Sequence, residues 1–104
     1  MVIEKWLGQR PMSKYTVGYF IKKFTAIPEE QWLTGLYGDD EGHCALGHCG
    51  QRPGCTTTES SALSAIFAEH KKSVVNVNDG MDSDFWGHKG PKARVLAALE
   101  SFNV

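Results

Sequence analysis

Apolar residues recur at the helical interval in three separated stretches, and the turn-forming clusters between them leave room only for short connecting elements. Val17, Phe20, Ile21 and Phe24 fall at i, i+3, i+4 and i+7, one face of a helix running from Thr16 to about Phe24, with Lys14, Lys22 and Lys23 outside it. Thr56-Thr57-Thr58-Glu59 fits a capping box, with Thr56 reaching forward and Glu59 back, ahead of Ala62, Leu63, Ile66 and Phe67. Gly90-Pro91 starts a third helix whose inward face is Val95, Leu96, Leu99 and Phe102. Proline followed by two acids at 28–30 adds a short helical start that ends near Trp32 or Leu33.

The intervening segments read differently. Residues 32–37 and 43–48 flank Gly38-Asp39-Asp40-Glu41-Gly42, a turn composition that predicts an antiparallel hairpin, with a short helix beginning at Cys44 as the rival reading. Ser73-Val74-Val75-Asn76-Val77 is short and rich in β-branched residues, so it reads as a buried strand ending at Asn78-Asp79-Gly80. The expected fold class is therefore α+β: a sheet of about three short strands, including a hairpin around 32–48, covered by three or four helices. At 104 residues one small domain over 13–104 is expected, with residues 1–12 as an extended or flexible arm.

A formal charge of −1, from 11 basic and 12 acidic residues, speaks against a dedicated nucleic-acid-binding domain. The opening residues 1–14 hold no uninterrupted apolar stretch long enough for a secretory leader or a membrane span, and three cysteines are an odd number, so free thiols in a reducing cytoplasm are expected.

Chemistry could reside in three places. In His43-Cys44-Ala45-Leu46-Gly47-His48-Cys49-Gly50, zinc would draw on His43, Cys44, His48, Cys49 and Cys55, but the spacing lacks the paired ligands of structural zinc sites. A cysteine nucleophile would use Cys44 with His48 as base and Asp79 or Asn78 as the group orienting that base; a helix or a strand would bring Cys44 and His48 to one side. The simpler reading makes Cys44, Ala45 and Leu46 core and His48 an internal hydrogen-bonding group. Second, Asp79, Asp82 and Asp84 put three carboxylates in a six-residue loop, without the ligand order of a calcium-binding EF-hand.

Third, His88, Lys89, Gly90, Lys92 and Arg94 put cations at a helix N-terminus, against the dipole preference, with Phe85 and Trp86 alongside. That combination would suit an anion such as a phosphorylated ligand, with Trp86 as a stacking surface. Pairing of Lys89 and Lys92 with Asp82 and Asp84 would explain the same charges structurally.

On Ile27-Pro28-Glu29-Glu30-Gln31-Trp32, on residues 44–50, on Val77-Asn78-Asp79-Gly80 and on residues 91–99, the chain resembles a family of small uncharacterised bacterial and phage proteins. The resemblance implies a shared pattern that includes Cys44, Gly47, His48, Asn78, Asp79 and Lys92, and it implies that Cys49 need not be cysteine. It brings no substrate, cofactor or partner with it. The expected function is a non-enzymatic binding module, of phage or mobile-element type, for a protein partner or a small phosphorylated anionic ligand, with no cofactor. The alternative is a hydrolase or transferase dependent on Cys44 and His48.

Overall fold

Helix α5 (Pro91–Phe102) lies at the centre of the packing, with α1 (Val17–Thr25) and α4 (Val74–Asp79) both against it. A computed structural model describes residues 14–35, 38–39 and 42–103. Residues 1–12, expected as an arm, and four residues of the expected hairpin (36, 37, 40 and 41) lie outside the described residues.

The periodic stretches fold as their spacing predicts. Thr16 caps α1, its hydroxyl accepting from Tyr19 N–H at 3.1 Å, and Phe20 and Phe24 turn fully inward. Glu29–Gln31 is a single 3₁₀ turn behind Pro28. α3 (Thr58–Glu69) starts one residue later than the expected box. Thr57 is its cap, exchanging side-chain and backbone hydrogen bonds with Ser60 at 2.9 Å each way. Glu59 is thereby released to hold Tyr19 Oη at 2.6 Å and Lys23 Nζ at 2.9 Å, tying α3 to α1.

The expected α+β class is overturned. The described chain is mainly helical, and its ladder consists of β1 (Gly38–Asp39) against β2 (Gly42–His43), two residues each. Two findings remove the three-strand sheet. The segment after His43 turns into α2 (Ala45–His48) instead of continuing as a strand. The segment expected as a third strand is α4, in which Val74, Val77 and Asn78 are buried at i, i+3 and i+4 while Val75 and Asn76 face out.

Local bonding explains why β-branched residues became helical there. Ser73 Oγ accepts from Asn76 N–H at 3.3 Å at the start, and Gly80, at φ +83°, closes the end in the left-handed conformation. Strand propensity spans only about 1 kcal/mol, and two caps plus a buried helical face outweigh it. Close approach explains Gly42, since a Cβ there would collide with the Gln31 carbonyl.

One buried cluster joins the five α-helices. An aromatic series runs through it from Phe20 to Phe24 (5.8 Å between centroids), Trp32 (5.1 Å) and His48 (4.8 Å), linking α1 to α2. Each fully buried ring or large aliphatic side chain contributes roughly 1.5–3 kcal/mol, so this face accounts for much of the stability.

Candidate functional site

A cavity of about 390 Å³ opens between α2, α4 and the loops at 35 and 53, lined by Gly35, Cys44, Leu46, Pro53, Val74, Val75, Asn78 and Asp79. Its volume falls at the small end of ligand pockets, roughly 300–1,000 Å³, and its walls are mostly apolar with a few polar groups, the composition such pockets share.

The polar edge is built by Asn78, which is 1% exposed. Its Oδ1 accepts from Ala45 N–H at 3.1 Å, and its Nδ2 donates to Leu33 O at 2.8 Å and to Asp79 Oδ1 at 2.9 Å. Gly35 N–H also donates to Asp79 Oδ1, at 3.1 Å. One side-chain amide thus fixes the first turn of α2, the loop at 33–35 and the Asp79 carboxylate together. Among the described residues Asp79 Oδ2 carries no hydrogen bond, and no cation forms an ion pair with Asp79.

Cys44 and Asp79 therefore meet at one cavity, but His48, the base that Asp79 would orient in the nucleophile reading, does not line it. Cys44 is the N-cap of α2, with extended backbone at φ −77° and ψ 177°, so its side chain leaves the helical stack that would have set it over His48. His48 instead packs between Trp32 and His43, whose ring centroid is 5.3 Å away, and its Nε2 is buried with no hydrogen-bond partner among the described residues.

Electrostatics agree with that separation. Burial, then the neighbouring His43 ring, lowers His48 to about 4, against the Gln31 and His43 backbone, leaving a neutral imidazole at neutral pH. Burial raises the Cys44 thiol, and the Asp79 charge adds to that, against the Gly47 and Leu46 amides. A nucleophilic cysteine needs the opposite environment. Burial also pushes Cys49 up to about 12, and Cys55 is exposed on a loop. No three of His, Cys, Asp and Glu among the described residues, the proposed zinc set included, converge as a metal site.

The cationic segment is organised around carbonyls. Arg94 Nε donates to Val77 O at 3.1 Å and Nη2 to Asn78 O at 2.8 Å, at the C-terminal end of α4. Lys92 Nζ donates to Thr25 O at 3.1 Å, at the C-terminal end of α1. Both cations oppose the dipole of their own helix and complement that of a neighbour, which accounts for charges that local preference would not place there. His88 and Lys89 are exposed, and Trp86, 66% exposed, donates from Nε1 to Gly80 O at 2.9 Å. Gly90 is the N-cap of α5 at φ +89°. Lys72, rather than Lys89 or Lys92, is the partner of Asp82, at 3.2 Å, and of Asp84.

Sequence reasoning singled out Cys44, Asn78 and Asp79, and the structure gathers them. It missed Gly35, Pro53, Val74 and Val75. Reading residues 73–80 as a capped helix from Ser73 to Gly80 would have turned Val74 and Asn78 to one side; the closure by Gly35 has no local signal. No helix among the described residues is long and apolar enough to cross a membrane. No protein-family model matches the chain, and no curated protein or solved structure is significantly similar to it.

Proposed function

We propose that this chain is a binding module whose ligand enters the cleft between α2 and α4. The supporting observation is the cavity of about 390 Å³, with Leu46, Val74, Val75 and Pro53 as walls and a hydrogen-bonded Asn78–Asp79 edge. Apolar walls supply affinity through area removed from water, and the fixed polar edge supplies orientation. A small molecule, or one side chain of a partner, would meet both.

The geometry favours this over a phosphorylated ligand at residues 88–94. Lys92 and Arg94 are engaged by helix carbonyls, and releasing them would leave those carbonyls unpaired.

The test is an amide NMR titration with a neutral apolar probe, 3-phenylpropan-1-ol. Binding at the cleft should move the Gly35, Ala45 and Leu46 amides and the Asn78 side-chain amide. Shifts confined to residues 86–94, or none at saturating probe, would contradict the reading.

A further inference from the structure

We infer that the cleft selects an organic ammonium: a small apolar body carrying one protonated amine, with the amine at Asp79 Oδ2. The inference rests on the reading of the cleft as a ligand site and specifies its chemistry.

Four observations support it. Among the described residues lining the cavity, Asp79 is the one charged side chain. Its Oδ1 receives two donors, Gly35 N–H at 3.1 Å and Asn78 Nδ2 at 2.9 Å, which fix the carboxylate plane while Oδ2 has no hydrogen bond among the described residues. No lysine, arginine or histidine among the described residues forms an ion pair with it; Arg94, the cation at the same helix end, donates to the Val77 and Asn78 carbonyls instead. Asp79 is also the last residue of α4, where a carboxylate runs against the helix dipole, so stability alone does not favour an acid there.

An ammonium group matches these conditions. It offers up to three donors to an acceptor that is already oriented, beside apolar walls that would strengthen the attraction relative to water. An anionic ligand would face uncompensated repulsion from the same carboxylate. A neutral alcohol could donate one hydrogen bond but would gain no ion pair, which makes it the informative comparison.

The experiment measures dissociation constants for three probes with one apolar body: 3-phenylpropylamine, 3-phenylpropan-1-ol and 3-phenylpropanoate, on the intact chain and on Asp79→Asn. Asparagine keeps the Oδ1 acceptor for Gly35 and Asn78 and removes the charge. The amine should bind about tenfold or more tightly than the alcohol, and Asp79→Asn should erase that margin while the alcohol changes by less than about twofold. The carboxylate should bind weakest. Raising salt on the unmodified chain should weaken the amine and spare the alcohol, a readout that survives if Asp79→Asn fails to fold. Equal binding of amine and alcohol, or an amine affinity indifferent to salt and to Asp79→Asn, would overturn the ammonium inference and leave the cleft reading standing. Failure of all three probes to bind would overturn both.

Discussion

The side-chain oxygen of Asn78 accepts the backbone N–H of Ala45 at 3.1 Å, joining the end of α4 to the first turn of α2 across 33 residues of chain. The same side chain donates to Leu33 O at 2.8 Å, so its removal leaves a buried amide and a carbonyl without partners. Asn78→Ala should therefore destabilise the fold by about 3 kcal/mol. Urea denaturation measures it, and a loss below about 1 kcal/mol would mean that water replaces Asn78 at little cost.

Arg94 and Lys92 bind similar carbonyls from differently covered positions. Arg94 makes two charge-assisted bonds at the end of α4, and Arg94→Gln should cost roughly 1.5–3 kcal/mol. Lys92 makes one exposed bond to Thr25 O, and Lys92→Gln should cost less than about 1 kcal/mol. Equal costs in thermal or urea melts would contradict this division.

His48 gives the fold a pH dependence whose sign follows from its lowered value. The unfolded chain takes up a proton near 6.5, whereas the folded one holds off to about 4. Between those values the unfolded state binds more protons, so stability is intact above about pH 6.5 and falls as pH drops toward 4, by about 2–3 kcal/mol. Asp82, held below the ordinary carboxylate value by the Asp84 N–H and then by Lys72, titrates below this window. His48→Phe should flatten the curve between pH 6.5 and 4. An unchanged slope in that variant would assign the effect elsewhere.

The three cysteines should separate by reactivity. Exposed Cys55 should alkylate first with iodoacetamide in the native state. Cys49, pushed from 9.0 to about 12, has roughly a thousandfold less thiolate at neutral pH and should react only on unfolding. Cys44, raised by burial, should also lag, and an occupied cleft should slow it further. Peptide mapping of the alkylated protein reads all three. Fast native alkylation of Cys44 would restore the nucleophile reading.

Helices with a long periodic face could be read from the sequence because burial repeats at 3.6 residues: Phe20 with Phe24, and Val95 with Leu99, state their own geometry. Six-residue α4 contains under two turns, too few for periodicity to outvote the β-branched composition of Val74, Val75 and Val77. Its decisive signals were the caps, Ser73 and Gly80. At the site, Asn78 and Asp79 stood out as a turn signal after a β-branched run and as candidate groups to orient a base. What they hold did not, because Gly35 N–H reaches Asp79 from 44 residues away. The cations at Lys92 and Arg94 also made a local inconsistency visible without its reason, since Thr25, Val77 and Asn78 are brought to them only by the packing of α1 and α4 on α5.

Val75 offers the most direct test of the cleft, because it lines the cavity yet is 40% exposed, so enlarging it need not disturb the core. Calorimetric titration of 3-phenylpropylamine into the intact chain and into Val75→Trp measures the effect. Binding to the intact chain and a loss of at least about tenfold in Val75→Trp, with unchanged melting, is the expected result. Equal affinity for both proteins would contradict a ligand site between α2 and α4.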